Sequence, residues 1–330
     1  MAKPVRLTTL AYAGVEPGDN YSERARDEMA RLLELAAQGK PDIVALTEFC
    51  NVLGISFGPN AEKIADWAEP IPGPTTDRMA ELADKYNMHV VVPIPEIDGD
   101  TLYNTAAFID RNGQIVGKYH KYQPTVGEME WGIMPGTDAP AFDLDIGKVG
   151  AAICFDMKFV EVGQRLAANG ARLVVFASMF IAGQRLLHWA RDFGFYILSS
   201  CGARSYIVDM AGTRFLAETG QQIEEVRSGV VPPIASAVVN MDREFFHLDY
   251  NQPRLKACIE KYGMGVEWEI CRPEAHFTLA STMDDVSIED IIAEFGMEPW
   301  RDYLARARRV RQETLDGNPP TAPGHPTCGT

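Results

Sequence analysis

Gly147-Lys-Val-Gly-Ala-Ala-Ile-Cys-Phe-Asp156 is the stretch that says most about how this chain folds. The apolar run from Val149 is typical of a buried strand, and Cys154 stands at its end. A helical pattern begins shortly afterwards, near Val160. A thiol just ahead of a helix N-terminus feels the positive end of the helix dipole, which favours the thiolate. The alternative is that Cys154 is a small buried apolar residue, the commonest fate of a free cysteine.

Two other strand patterns lead to charged residues. Asp42-Ile-Val-Ala-Leu-Thr47 delivers Glu48, and Lys121 lies just beyond the strand pattern at Gln114–Tyr119. A carboxylate after an apolar run needs a partner if it is buried, and burial would make it a usable base. Glu48 could instead face water, and Lys121, close to Lys118, could belong to a solvated charged face. A base, a cation and a thiol together are the groups needed for covalent attack on a carbonyl or nitrile carbon.

The arrangement of predicted elements favours an α/β fold, because short apolar runs alternate with amphipathic helical stretches. Asp110-Arg-Asn-Gly113 between two strand patterns predicts a β-hairpin. Hairpins mixed with βα units favour two packed sheets with helices outside. The predicted strands are 5–12, 42–47, 89–94, 102–110, 114–119, 149–153, 173–177, 196–200 and 205–209, and the predicted helices are 22–38, 75–86, 160–169 and 186–193.

The pattern changes beyond residue 240, and no linker precedes that point. Residues 242–262 and 288–311 look helical, and the proline-rich tail from Leu315 should be extended or disordered. We expect a main domain over residues 1–285, followed by a C-terminal helical extension and flexible tail over residues 286–330.

Composition and charge exclude several classes of function. The 330 residues carry a net charge of −15, which argues against nucleic acid or anionic membrane as a partner. The one dense basic stretch, residues 301–311, reads as a solvated or subunit-contacting helix face. We predict a cytoplasmic protein without signal peptide or membrane helix. The six cysteines show neither metal-ligand spacing nor a disulfide framework, so we expect reduced thiols.

The order Glu48, Lys121, Cys154, with separations of 73 and 33 residues, resembles the nitrilase superfamily of carbon–nitrogen hydrolases. The resemblance covers about residues 5–240, within the expected main domain. It rests on ordered motifs: Ala45-Leu-Thr-Glu-Phe49, Leu102-Tyr-Asn-Thr105, Asp110-Arg-Asn-Gly113, Gly117-Lys-Tyr-His-Lys121, Pro135-Gly136, Phe142-Asp143 and residues 147–156.

The resemblance implies roles for these residues. Glu48 would be the general base, Cys154 the nucleophile, and Lys121 the stabiliser of the tetrahedral oxyanion together with a backbone N–H near Phe155. No metal or organic cofactor is implied. Many family members carry a second glutamate in the following segment, which favours Glu128.

Glu130 is the neighbouring alternative for that second glutamate, and both glutamates could equally be surface acids. The resemblance also implies a four-layer α-β-β-α sandwich, with the three residues at the mouth between the sheets. Family members pair through helices, so we expect a homodimer or larger homo-oligomer. The candidates for that contact are residues 159–169 and the residues beyond 240, and the C-terminal extension could cross to a neighbour.

The substrate signals point in two directions. Cys154-Phe-Asp156 is more similar to the amidase and carbamoylase branches than to true nitrilases, which usually carry Cys-Trp-Glu. Pro124-Thr125, Glu128 and Trp131-Gly132 are similar to nitrilases. We weight the signal beside the nucleophile more, and expect a hydrolase of a small linear amide or N-carbamoyl compound. Nitrile hydrolysis is the alternative, followed by a non-catalytic binding member.

Several positions that help to form the family's pocket bear on the substrate. Lys158 lies where some carbamoylases hold a substrate carboxylate with a basic residue, although an ion pair with Glu161 is an alternative. Phe155, Phe180 and Met179 are candidate substrate-binding residues, with Trp189 as a further apolar wall or a core residue. The chain departs from common family patterns at His120, Gln123, Ala177-Ser-Met-Phe180 and Ser199-Ser-Cys-Gly-Ala203.

Overall fold

Two six-stranded sheets lie face to face in the computed structural model, which describes residues 3–58, 61–220 and 233–320. The first sheet has the strand order β12-β1-β2-β3-β4-β5. Its three central strands β1, β2 and β3 run parallel, and the other pairs are antiparallel. The strands are β1 (Pro4–Leu10), β2 (Ile43–Ala45), β3 (His89–Asp98), β4 (Thr101–Ile109), β5 (Ile115–His120) and β12 (Ile234–Asn240).

The second sheet repeats this plan with the order β11-β10-β9-β8-β7-β6. Here β7, β8 and β9 are parallel and the flanking pairs are antiparallel. The strands are β6 (Ala141–Leu144), β7 (Gly147–Ile153), β8 (Leu173–Ser178), β9 (Tyr196–Cys201), β10 (Tyr206–Val208) and β11 (Phe215–Glu218). Each sheet therefore has a set of parallel strands, and the carboxyl ends of such strands are where functional side chains usually lie.

Helices cover the outer face of each sheet, and the alternation within strands shows how. Ile43 and Ala45 of β2 pack in the core between the sheets, whereas Val44 packs against the outer helices. The helices α1 (Tyr21–Ala37) and α2 (Pro74–Tyr86) cover the first sheet, and α4 (Val160–Ala168) and α5 (Gln184–Phe193) cover the second. The short α3 spans Val126–Glu130. The predicted four-layer α-β-β-α sandwich is confirmed.

Small residues in the opening stretch allow a helix to pack closely on β7. A Cβ atom added to Gly150 would lie 2.5 Å from the Leu166 side chain of α4. Gly163 of α4 is equally constrained, since a Cβ there would lie 2.1 Å from Phe193 of α5. Gly150 therefore lets α4 pack closely on β7, and Gly163 lets α5 pack closely on α4.

A third sheet lies in the C-terminal part, where the sequence analysis predicted helix over residues 242–262. That prediction is wrong at its start, because Arg243–His247 form β13 and the helix α6 begins only at Leu248 and ends at Tyr262. Phe245 and Phe246 are both buried, so this strand lacks the alternation that identifies a half-buried strand. The sheet has the order β13-β15-β14, with β14 at Val266–Cys271 and β15 at His276–Ser281.

The predicted C-terminal helix is two helices, α7 (Ile288–Phe295) and α8 (Trp300–Leu315), separated at Gly296 and Pro299. Ile288 and Ile291 share one apolar cluster with Leu255 and Phe277. The two sides of the division expected at residue 285 thus pack on one core, and the division itself stays a prediction. The predicted flexible tail lies largely at residues 321–330, outside the described residues.

The described residues also bear on the predictions for membrane helices and cysteines. No helix within residues 3–58, 61–220 and 233–320 is long and apolar enough to cross a membrane. Cys50, Cys154, Cys201, Cys258 and Cys271 are free thiols, whereas Cys328 lies outside the part of the chain that the structure describes.

Candidate active site

Glu48 lies between the two sheets and is 2% exposed. The chain leaves β2 through Thr47, whose hydroxyl donates hydrogen bonds to Ser178 O and Ser200 O at 3.2 Å each. Those carbonyls belong to β8 and β9, so Thr47 fastens the end of β2 to the opposite sheet. The Glu48 Oε2 atom accepts a hydrogen bond from Met179 N at 3.1 Å. A strand end from the first sheet therefore holds a carboxylate against the second sheet.

Lys121 follows β5 and is 1% exposed, so the solvated-face alternative is wrong for it. Its backbone N–H donates to Asn104 O at 2.8 Å, which continues the β4–β5 pairing. Its Nζ atom lies 2.8 Å from Glu48 Oε1 and 2.8 Å from Glu128 Oε2. Burial opposes the charged ammonium, but the charges of Glu48 and Glu128 outweigh burial and raise the pKa of Lys121 above its ordinary value.

Glu128 lies 4% exposed in α3, while Glu130 at the end of the same helix is exposed. The Glu128 carboxylate accepts a hydrogen bond from Thr125 N at 2.7 Å, and Thr125 Oγ1 caps Glu128 N at 3.2 Å. This capping box orients the side chain towards Lys121. Burial opposes the charge of Glu128, but the charge and hydrogen bonds of Lys121 lower its pKa below the ordinary 4.5.

Asn104 is a site residue whose role the motif Leu102-Tyr-Asn-Thr105 did not predict. Its Nδ2 atom donates to Glu48 Oε1 at 2.9 Å and to Glu128 Oε1 at 2.8 Å. One buried amide thus joins both carboxylates that flank Lys121. The available signal was its position inside an otherwise apolar strand, where asparagine is depleted.

Cys154 follows β7 and adopts a left-handed backbone conformation with φ of 47°. This conformation costs energy for a residue other than glycine and occurs frequently at functional sites. Burial, followed by the negative charge of Glu48, raises the pKa of Cys154 to about 12, although Lys121 and a hydrogen bond with Ser178 act in the opposite direction. The net shift is thus opposite to the thiolate-favouring shift that the helix dipole predicts, and it favours the neutral thiol.

The predicted substrate-binding residues lie on the two segments that follow β7 and β8. Phe155 is partly buried with its ring centroid 5.2 Å from that of Phe159, and Met179 is 57% exposed. The Lys158 Nζ atom lies 5.3 Å from the centroid of the partly buried Phe180 ring. Among the described residues Lys158 has no carboxylate within 4.0 Å, so the alternative ion pair with Glu161 is not formed.

Trp189, the other candidate pocket wall, is a core residue. It is 5% exposed and packs edge-on against Phe193 and Phe195 behind the second sheet. A groove of about 540 Å³ lies beside the third sheet and is lined by Arg214, Val238 and Trp268 among others, but by none of the candidate catalytic residues.

One cluster in the described part of the chain has the composition of a metal site. Glu96, Asp98 and His120 bring ligand atoms within 4.8 Å of one another. The Glu96 carboxylate already accepts hydrogen bonds from Lys118 at 2.5 Å, Thr105 at 2.7 Å and His120 at 3.0 Å. These contacts make the cluster an ion-pair network on β3–β5.

Replacing Glu128 with glutamine is expected to destabilise the protein by about 1–3 kcal/mol at pH 7, because Lys121 loses one of its two charged partners. The pKa of Glu128 is lowered in the folded state, so its stabilising effect is present above the ordinary value of 4.5 and is lost as the pH falls through the folded value. Urea unfolding at pH 4 and pH 7 should show a smaller pH dependence in Glu128→Gln. The control Glu130→Gln should match the wild type at both pH values.

A layered sandwich with a carboxylate, an ammonium and a thiol gathered at strand ends defines a class of α/β hydrolytic enzymes. The chain belongs to the carbon–nitrogen hydrolase family, whose family model matches residues 9–233. The resemblance to the nitrilase superfamily is thereby confirmed.

Two individual relatives are similar in sequence to part of this chain. A bifunctional nitrilase/nitrile hydratase NIT4A from Lupinus angustifolius is 32% identical over 201 residues, which are 54% of this chain and 58% of that one. An omega-amidase NIT2 from Bos taurus is 32% identical over 191 residues, which are 54% of this chain and 66% of that one. In both cases the chain spans less than two thirds of the relative's length.

Solved structures share the fold. A carbon-nitrogen hydrolase from Helicobacter pylori G27 matches with a TM-score of 0.61 and 19% identity over 73% of this chain and 90% of that one. An amidase from Nesterenkonia sp. AN1, with acetamide from fluoroacetamide joined to its active site cysteine, matches with a TM-score of 0.59 and 17% identity over 72% of this chain and 90% of that one.

Proposed function

We propose that this chain hydrolyses the C–N bond of a small linear amide or N-carbamoyl compound through a thioester on Cys154. The observation that carries the proposal is the buried set of Glu48, Lys121 and Glu128, in which Glu48 and Lys121 act electrostatically on Cys154. A neutral thiol beside a hydrogen-bonded carboxylate suits base-assisted attack, in which the proton moves as the bond forms.

In the first half of the reaction, Cys154 Sγ attacks the carbonyl carbon and Glu48 takes the thiol proton. Negative charge develops on the carbonyl oxygen, where the Lys121 ammonium and a backbone N–H near Phe155 stabilise it. Collapse of this tetrahedral intermediate breaks the C–N bond, and Glu48 returns the proton to the departing nitrogen. Ammonia or an amine leaves, and the acyl group stays on Cys154 as a thioester, or as a thiocarbamate where the substrate is an N-carbamoyl compound.

In the second half, a water molecule attacks the thioester carbon while Glu48 accepts its proton. The C–S bond breaks and the thiolate is reprotonated through Glu48. A thioester releases a carboxylic acid, whereas a thiocarbamate releases carbamic acid, which decomposes to ammonia and carbon dioxide. Glu128 touches Lys121 through both carboxylate oxygens, at 2.9 and 2.8 Å, so its proposed role is to position the ammonium.

The residues around Lys158 support a substrate with a negative end. Lys158 is exposed, stands four residues after the nucleophile and rests on the Phe180 ring. Phe155 and Met179 add apolar surface. We propose that Lys158 binds a carboxylate of the substrate and that the aromatic side chains contact the carbon chain between that carboxylate and the amide.

Replacing Lys158 with methionine should raise KM for a carboxylate-bearing amide by about 10–100-fold, since a charged hydrogen bond contributes about 1.5–3 kcal/mol. KM for a neutral amide of the same length should change little. Steady-state kinetics on such a substrate pair test this, with Lys148→Met as the control, because Lys148 is a half-exposed lysine paired with Asp143. Equal changes in KM for both substrates would contradict the assignment.

The proposed reaction is tested by measuring ammonia release from short amides, N-carbamoyl amino acids and nitriles. Hydroxylamine is added in parallel, because a thioester intermediate transfers its acyl group to hydroxylamine and yields a hydroxamate, whereas a thiocarbamate yields hydroxyurea. The expected result is amide turnover with hydroxamate formation or carbamoyl turnover with hydroxyurea formation. Turnover without either product would contradict the covalent mechanism.

Nitrile hydrolysis is a second candidate function with its own support. The Lupinus angustifolius relative is a bifunctional nitrilase/nitrile hydratase, and a 38% identical relative over 137 residues is nitrilase 2 of Arabidopsis thaliana. The same Cys154 attack on a nitrile carbon would give a thioimidate that water hydrolyses. Turnover of nitriles alone in the panel would select this function.

We also propose that the chain forms a homodimer or larger homo-oligomer. Val160 on α4 is 56% exposed, and α8 has no buried residue. These helices offer surface for a second copy. Sedimentation velocity measures the assembly directly, and a monomer at micromolar concentration would contradict this part of the proposal.

A further inference from the structure

Asp156 is a fully buried carboxylate two residues after Cys154, and it binds three separate groups of the protein. Its Oδ2 atom accepts hydrogen bonds from Tyr119 Oη at 2.6 Å and Ile153 N at 2.8 Å. Its Oδ1 atom accepts a hydrogen bond from Gln123 N at 2.7 Å. Both carboxylate oxygens of Asp156 are therefore hydrogen-bonded within the protein.

The partners of Asp156 flank the two residues that must meet the substrate from opposite sheets. Ile153 directly precedes Cys154 at the end of β7 in the second sheet. Tyr119 and Gln123 stand two residues before and after Lys121, at the end of β5 in the first sheet. Tyr119 Oη also accepts a hydrogen bond from the backbone N–H of residue 122 at 3.2 Å. One carboxylate therefore fastens both strand ends.

This connection matters because no covalent bond fixes Cys154 relative to Lys121. Cys154 has a left-handed backbone with φ of 47°, which the surrounding structure must hold in place. Lys121 must stand where the oxyanion forms, and small misplacements of such groups cost large factors in rate.

We propose that Asp156 is a positioning residue that fixes Cys154 and Lys121 relative to each other across the two sheets. The inference rests on the proposed function. Burial raises the pKa of Asp156 from the ordinary 3.8 to about 6, although the hydrogen bonds from Tyr119, Ile153 N and Gln123 N act in the opposite direction. The folded protein therefore loses stability as the pH rises from 3.8 through about 6, so a contribution to stability is not a sufficient reason for a carboxylate at this place.

The test is Asp156→Asn, a change of the same size. In either orientation the new amide NH₂ faces a backbone N–H, that of Ile153 or that of Gln123, and so one strand end loses its connection. We expect kcat to fall by about 30–100-fold, as for a misplacement near 1 Å, while KM changes by less than about 3-fold. Tyr119→Phe removes one of the hydrogen bonds and should lower kcat by a smaller factor.

Two controls separate positioning from general weakening. Leu82→Val, in the α2 core, should lower Tm without lowering kcat. Asp143→Asn removes an exposed carboxylate of β6 and should leave both values unchanged. If Asp156→Asn does not fold, Tyr119→Phe carries the same test.

The possible outcomes distinguish this inference from the proposed function. Wild-type turnover with an unchanged kcat in Asp156→Asn, or in Tyr119→Phe where Asp156→Asn does not fold, would overturn the positioning role alone. A rise in KM in either variant, with kcat unchanged, would also overturn it. A wild-type protein that releases ammonia from no compound in the panel would overturn the proposed function and this inference together.

Discussion

Replacing Cys154 with alanine is expected to lower turnover of the preferred substrate by about 10⁴-fold or more, because the group that forms the covalent bond is removed. The substitution exchanges a thiol for a hydrogen and leaves the Glu48–Lys121–Glu128 cluster intact. We therefore expect Tm to stay within a few degrees of the wild-type value. Ammonia release and thermal unfolding measured on the same preparation test both parts.

Cys258→Ala is the control for this experiment. Cys258 lies in α6, is fully buried, and has a pKa that burial raises. Like Cys154 it is a free thiol, but it belongs to the C-terminal apolar cluster and has no proposed catalytic role. This variant should retain turnover within a few fold. Comparable losses in both variants, or full activity in Cys154→Ala, would rule out Cys154 as the nucleophile.

The layered fold was accessible from the sequence because its strands are short apolar runs with clear boundaries. Val149–Ile153 is a buried strand in the structure as predicted, and the hairpin at Asp110–Gly113 joins β4 to β5. The third sheet was not predicted, and the reasons differ between its strands β13 and β14. Residues 243–247 are buried on both faces, whereas the alternation Val-Glu-Trp-Glu-Ile over residues 266–270 was an available strand signal.

The candidate site could be predicted residue by residue but not as a network. Order and spacing identified Glu48, Lys121 and Cys154, and the structure brings the first two into direct contact. Asn104 meets Glu48 across 56 residues of sequence, and Asp156 meets Tyr119 across 37. Contacts at such separations depend on how the two sheets pack, which local patterns do not encode.

The pKa of the Cys154 thiol is another property that the local sequence did not predict. The local sequence suggested a strand end facing a helix dipole, an arrangement that lowers a thiol pKa. Packing instead buries Cys154 and brings the negative charge of Glu48 close enough to raise the pKa. The distinction bears on the proposed mechanism, in which a neutral thiol gives its proton to Glu48 as it attacks.

Replacing Glu48 with glutamine should therefore lower kcat but speed the alkylation of Cys154. Without the carboxylate there is no acceptor for the thiol proton, and we expect kcat to fall by about 10²–10⁴-fold, the usual contribution of a general base. Burial and the charge of Glu48 are the two largest causes of the raised pKa of Cys154. Removing that charge should lower the pKa, so that iodoacetamide alkylates Cys154 faster at pH 8 than in the wild type.

The variant leaves Lys121 paired with Glu128, so no buried ammonium is left without a counter-charge. The amide NH₂ group that replaces one carboxylate oxygen would face a donor, either Met179 N or the Lys121 and Asn104 donors, which should cost about 1–3 kcal/mol. Glu161→Gln, an exposed change on α4, is the charge control and should alter neither rate. Alkylation that slows in step with turnover would mean that Glu48 activates the thiol before substrate binds, contrary to the mechanism proposed here.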